Sequence, residues 1–155
     1  MLTVRRETVG AAESLTGGLV SAALTDAPGA SQVFRGGLVV YATDLKQSLA
    51  GVSPDVLQAH GAVSAITAEE LARGAQGRTG ATYGVATTGV AGPQEQEGQP
   101  VGTVHVAVAG PRGVVSRSLR FAGGRAEVRG RAVAAALELL CTVLTDSGDQ
   151  PIAAP

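Results

Sequence analysis

Thr8-Val9-Gly10-Ala11-Ala12-Glu13-Ser14-Leu15-Thr16-Gly17-Gly18, continuing through Leu19-Val20-Ser21-Ala22-Ala23-Leu24-Thr25, is the stretch that decides the fold. Thr8 to Ala12 is short, small and apolar, the pattern of a buried strand. Glu13 to Gly18 is a turn. Leu19 to Thr25 reads as a helix, closed by the breaker cluster Asp26-Ala27-Pro28-Gly29. A strand that turns at once into a helix points to an α/β architecture.

Working outward, Val33 to Tyr41 reads as a strand with a Gly36-Gly37 pair, followed by short helices over Thr43 to Leu49 and Pro54 to His60. Ser53 and Pro54 suit the start of the second helix and Gly61 its end. The next helix starts at Thr67-Ala68-Glu69-Glu70, with Thr67 as cap and Glu70 at the far corner of a capping box, and runs to about Gln76 or Arg78. Tyr83 to Thr87 is a buried strand and Gly89 to Pro100 a long polar loop. Val101 to Ala109 and Val114 to Phe121 form a hairpin around Gly110-Pro111-Arg112-Gly113. Arg125 to Leu144 is a long helix with Val133, Leu137, Leu140, Cys141 and Leu144 on one stripe. The order β-α-β-α-α-α-β-β-β-α predicts an α/β fold: a single-domain three-layer α/β/α sandwich with a mixed sheet, occupying 1–145. Residues 146–155 are expected to be a disordered tail.

Composition narrows the class. The 155 residues suit one domain, and 45% hydrophobic against 16% charged is globular. A net charge of −1 without a basic block disfavours a nucleic-acid surface. No apolar run reaches the ~20 residues that cross a bilayer, and Met1 to Thr8 is not a secretory signal. Cys141 is the single cysteine, so no internal disulfide forms and a reducing, cytoplasmic setting is expected. Eleven Arg stand against one Lys, Lys46. Arg cannot serve as a base in a protein, whereas Lys can once its pKa is lowered.

Several side chains could carry chemistry. Ser14 ends a strand before a Gly-rich turn into a helix, where a hydroxyl is exposed beside free N–H groups. On position alone, Ser14 or Thr16 as a mere helix cap is the commoner use. A serine nucleophile needs a base. His60 reads as a capping residue and His105 as a mid-strand residue, so a Ser-His-Asp arrangement is poorly supported. Lys46 is the other base, with Tyr41 five residues before it and able to bond Ser14 or Lys46. Thr87-Thr88-Gly89-Val90-Ala91-Gly92-Pro93 allows close approach to the backbone, or is an ordinary turn. Glu95 and Glu97 fall in what reads as a solvated loop. Arg125 and Arg129 open the last helix, where cations oppose the dipole unless an anion or a carboxylate partner such as Glu127 or Glu138 is near. Cys141 reads as core, and no Cys, His and carboxylate cluster has metal-site spacing, so no metal or cofactor is expected.

Taken together, these segments resemble the CinA C-terminal family. Ala12 to Gly18 is similar to its AESLTGG motif, and Ser31 to Tyr41 with Lys46 to its S-x-x-F-x-x-G-x-V-x-Y…K segment. Gly61 to Ser64 resembles GAVS, Thr87 to Pro93 with Pro100 to Val104 resembles TTGIAGP…PVGTV, and Phe121 to Arg129 resembles F-x-G-D-R-x-x-I-R. The resemblance implies a nicotinamide mononucleotide amidohydrolase of the Ser/Lys kind, acting without metal. Ser14 would be the nucleophile, Lys46 the general base and Tyr41 an aid to proton transfer. Gly17, Gly18, Ser31, Thr88, Gly89, Arg125 and Arg129 would meet the substrate. The partner would be a small mononucleotide, neither nucleic acid nor membrane, and the chain a homo-oligomer. The alternative is a non-catalytic mononucleotide-binding module with a regulatory role. Three departures stand out. Only Met1 to Glu7 precede the first strand, so the helix that usually comes before the motif is almost absent. Gly124 stands where the family often has Asp. The second domain of the larger CinA proteins is not in this chain.

Overall fold

In a computed structural model, which describes residues 1–146, one mixed five-stranded sheet lies between two helical layers. The elements are α1 (Leu2–Arg5), β1 (Val9–Glu13), α2 (Leu19–Thr25), α3 (Ala30–Val33), β2 (Phe34–Val39), α4 (Thr43–Ser48), α5 (Pro54–His60), α6 (Ala65–Thr79), β3 (Tyr83–Gly89), β4 (Thr103–Gly110), β5 (Gly113–Arg120) and α7 (Arg125–Asp146). The strand order is β2-β1-β3-β4-β5. The first three strands are parallel, and β4 and β5 are antiparallel additions.

The topology follows from a few local causes. Strands β1 and β3 are buried at every position and, apart from Glu13 and Tyr83 at their ends, built from small or β-branched residues, as strands covered on both faces must be. The chain leaves β1 in one direction to reach β2, then crosses back over β1 to reach β3. Right-handed crossovers in opposite directions put their helices on opposite faces. Accordingly α2 packs with α7 on one face, and α6 covers the other. Val9, Ala11, Val85, Val104, Val106 and Val108 meet α7 through Val128, Ala132, Ala136 and Leu139. Ala12, Ala86, Ala107 and Ala109 meet α6 through Ala68, Leu71, Ala72 and Ala75, so that layer is an alanine-lined close contact.

The three-layer mixed-sheet architecture is as the sequence predicts, with local corrections. Met1 to Glu7 still form a one-turn helix, α1, and a second short helix occupies Ala30–Val33, where the strand was expected to begin. Helix α6 begins at Ala65, not at Thr67. Ser64 is its cap and its Oγ accepts the Thr67 N–H at 3.1 Å, while the Glu70 carboxylate accepts the Ser53 N–H instead of closing a capping box. The buried stripe of α7 is Val128, Ala132, Ala135, Ala136, Leu139, Leu140 and Leu144, which leaves Cys141 exposed and not in the core. Asp146, assigned to a tail, closes α7; the rest of that tail lies outside the described residues. No helix among the described residues is long and apolar enough to cross a membrane.

Candidate active site

The carboxyl ends of the parallel strands β1, β2 and β3 converge at one edge of the sheet, the position where open α/β sheets bind ligands. Ser14 follows β1 there, only 8% exposed, its N–H bonded to the Thr87 carbonyl of β3. Lys46 reaches it from α4. Its Nζ lies 3.1 Å from Ser14 Oγ, 2.9 Å from the Val40 carbonyl and 3.2 Å from the Tyr41 carbonyl, and the side chain is 1% exposed. Burial pulls the Lys46 pKa from 10.5 to about 8, against the opposing pull of the Glu97 and Asp44 carboxylates. The ammonium fills all three acceptors. The neutral amine has two N–H groups for the two carbonyls and a lone pair left for the Ser14 hydroxyl.

Glu13 was not singled out from the sequence, yet it holds the site's geometry. It is 1% exposed. Its carboxylate accepts from the Gly18, Val20 and Ser21 N–H groups and from the Thr16 and Ser21 hydroxyls, at 2.7 to 3.0 Å. The start of α2 has no side-chain cap of its own, so Glu13 supplies one from the preceding strand and complements the helix dipole. The available signal was an acidic residue beside a helix start. The Gly17 and Gly18 backbone, expected to meet the substrate, is already engaged: Gly17 N–H donates to the Ser14 carbonyl and Gly18 N–H to Glu13.

Arg129 is engaged likewise. Its guanidinium donates to the Leu15 and Thr16 carbonyls, both at 2.9 Å, and so clamps the Ser14 turn to α7. Arg125 instead spans the mouth of the site, donating to the Gly92 carbonyl and to the Tyr41 hydroxyl at 2.9 Å. Tyr41 therefore offers Lys46 its carbonyl, while its hydroxyl bonds Arg125 and neither Ser14 nor Lys46. Gly124, in place of the expected Asp, gives its N–H to Glu127 at 2.8 Å, half of a capping box for α7. Thr88 and Gly89 belong to β3 and not to the loop. Thr88 is buried with its hydroxyl on the Ala62 carbonyl, and Gly89 lines the cavity. Ser31 sits exposed on α3, outside that cavity. His105 has Nδ1 2.9 Å from Ser118 Oγ and burial lowers its pKa; His60 ends α5. Among the described residues neither histidine bonds Ser14.

Ser14, Tyr41, Gly89, Gly92, Gln96 and Arg125 enclose a cavity of about 70 Å³. Among the described residues no group of three or more His, Cys, Asp and Glu side chains could hold a metal ion. The arrangement can activate a hydroxyl by an adjacent buried amine.

The CinA C-terminal domain family matches residues 1–144. The chain belongs to that family. A CinA-like protein of Frankia casuarinae is 54% identical over 144 residues, covering 93% of this chain and 33% of its own length. A CinA-like protein of Solibacter usitatus is 46% identical over 134 residues, covering 86% and 32%. This CinA domain thus spans about a third of the length of those relatives. Among solved structures, the competence/damage inducible protein CihA of Agrobacterium tumefaciens has a TM-score of 0.87 at 41% identity, covering 91% of this chain and 87% of that one. A CinA superfamily protein of Escherichia coli has a TM-score of 0.89 at 33% identity, covering 92% and 83%.

Proposed function

We propose that this CinA domain is a serine amidohydrolase that removes the amide nitrogen of nicotinamide mononucleotide, giving nicotinate mononucleotide and ammonia. The observation that carries the reading is the 3.1 Å approach of a buried lysine, its pKa lowered to about 8, to a serine at a sheet edge. Neutral Lys46 takes the proton of Ser14 Oγ as that oxygen attacks the carboxamide carbon. The C–N bond then breaks, and Lys46 returns the proton to the departing nitrogen, which leaves as ammonia. Water next gives a proton to Lys46 and adds to the acyl carbon, and Ser14 recovers its proton as the nicotinate is released.

Two further assignments follow from which groups are already occupied. With Gly17 and Gly18 N–H engaged, the oxyanion falls to the amide of Leu15, the residue after the nucleophile, as in other strand-to-helix nucleophile turns. With Arg129 bound to the turn, Arg125 is the cation that meets the 5′-phosphate, exchanging its bonds to Gly92 and Tyr41 for charge-assisted ones. The Tyr41 hydroxyl, freed by that exchange, then faces the substrate and assists proton transfer.

The test is ammonia release from nicotinamide mononucleotide by the wild type beside Ser14→Ala. Release by the first alone supports the deamidase and its nucleophile. The names of the solved relatives speak of competence and damage. Saturable mononucleotide binding without ammonia from either protein would therefore favour a regulatory binding module.

A further inference from the structure

We propose that Glu97 is a positioning residue of the Ser14–Lys46 centre: its carboxylate fastens the loop that walls the cavity to the Ala62 amide, and its charge faces Lys46 while that loop is fastened. The inference rests on the Ser/Lys reading and deepens it.

Glu97 lies between β3 and β4, in a loop the sequence presents as merely solvated. Its Oε2 accepts the Ala62 N–H at 2.7 Å, and the Ala62 carbonyl in turn accepts the hydroxyl of Thr88. One short segment, Gly61–Ala62, thus ties the loop to the end of β3. Gln96 and Gln99 exchange backbone bonds at 2.8 and 3.2 Å across Glu97 and Gly98, whose φ values are 52° and 72°. Such a turn favours Asn, Asp or Gly at both central positions. A glutamate there costs on the order of 1 kcal/mol and persists where its surroundings hold it. The Ala62 amide is the partner that holds it.

The loop also matters for access. Gln94 and Gln96, on the same loop, line the cavity with Ser14. At about 70 Å³ that cavity is well below the ~300 Å³ or more usual for ligand sites. A mononucleotide enters when the loop and the Arg125 bridge give way, and releasing Glu97 from Ala62 is the step that frees the loop. Closure over the substrate returns the carboxylate to its place. Its charge then favours the protonated form of Lys46 as that residue takes the Ser14 proton.

The groups facing Lys46 are few. Glu97 acts from the loop and Asp44 from its own helix, both favouring the ammonium. Ser14 and the Val40 and Tyr41 carbonyls accept its donors. Arg125, across the cavity, is engaged by Tyr41 and Gly92.

Because Lys46 is the single lysine, protein labelled with ¹³Cε-lysine gives one lysine resonance and reads its titration directly. The full chain would be compared with Glu97→Gln, Glu97→Ala and, as a charge control, Asp44→Asn. In both Glu97 variants the Lys46 titration is expected at lower pH than in the wild type, as it is in Asp44→Asn. In turnover, Glu97→Gln keeps an acceptor for Ala62 and leaves KM near wild type, Glu97→Ala raises KM, and Asp44→Asn leaves KM unchanged. An unmoved Lys46 titration in Glu97→Gln overturns the proposal, as does an equal KM for Glu97→Gln and Glu97→Ala. The titration needs no turnover, so a wild type that releases no ammonia would sink the deamidase reading and leave the Glu97 result standing.

Discussion

Under the proposed mechanism, Lys46 makes catalysis and stability respond to pH in linked ways. It would act as base only when neutral, and its pKa is about 8. The value of kcat/KM is therefore expected to rise about tenfold per pH unit below that value and to level off above it. A flat profile between about pH 6 and 9 would remove Lys46 from the proton path. The stability effect has a definite sign. The folded pKa is lowered from 10.5, so between about 8 and 10.5 the unfolded chain binds more protons than the folded one, and stability rises with pH in that window. Below it the net cost of the buried ammonium, its bonds to Val40 and Tyr41 included, is roughly 3 kcal/mol. Lys46→Met is thus expected to gain stability relative to wild type near neutral pH and to lose that advantage as pH climbs toward 10.5, as urea denaturation at several pH values would measure. Ser14 and Lys46 were singled out through the family motifs that contain them, since on position alone a strand-end serine reads as a helix cap. Glu13 was not, because the residues it serves follow it by three to eight positions and only the folded turn brings them onto one carboxylate.

Elements, more than residues, place Ser14. The Ser14 turn is held from two sides: Glu13 caps α2 from below, and Arg129 reaches over from α7 to the Leu15 and Thr16 carbonyls. Arg129→Ala removes two charge-assisted bonds, stripping the Leu15 carbonyl of its donor and leaving the Thr16 carbonyl only the Leu19 N–H, so a loss of about 2–3 kcal/mol is expected. Thermal unfolding would show this as a drop of roughly 4–12 °C for a domain of this size. The accompanying kinetic effect is a fall in kcat with KM little changed, because the turn moves while Arg125 still faces the substrate. A rise in KM alone would make Arg129 a substrate contact instead. Glu13→Gln is expected to be at least as damaging, since its NH2 group would oppose donors at a site where every partner is an N–H or O–H. The sequence placed Arg125 and Arg129 together at the start of one helix, as candidates for an anion or for carboxylate partners. It could not show that β1's turn passes under one of them and Tyr41 under the other. The α7 stripe was incomplete for a related reason: Leu140 and Leu144 lie on it and Val133 and Leu137 pack beside it, but Cys141 does not, and Ala132, Ala135 and Ala136 were missed because hydrophobicity alone does not distinguish them from surface alanines.

At the scale of the molecule, the site depends on how closely α6 approaches the sheet. Strand-helix alternation made the layers and the mixed sheet legible. The spacing between layers was not, because it is set by contacts between residues far apart in the chain. On the α6 side those contacts are mostly alanines and glycine, with Leu71. A Cβ on Gly84 would collide with the Ala72 carbonyl oxygen and come within 2.5 Å of the Gln76 nitrogen, both backbone atoms of α6 that cannot swing aside. The strand carrying Gly84 ends at Thr88 and Gly89, and the segment leading into α6 contains Ala62, the acceptor of the Thr88 hydroxyl. Forcing α6 away from β3 thus strains the same ties that locate the cavity wall. Gly84→Ala is expected to cost about 1–3 kcal/mol by overpacking and to lower kcat/KM as well, although it lies at the opposite end of β3 from Ser14. Urea denaturation beside single-turnover ammonia release would separate the two effects. A variant that loses stability but keeps wild-type turnover would mean that the sheet edge is positioned by Glu13 and Arg129 alone, independently of the α6 layer.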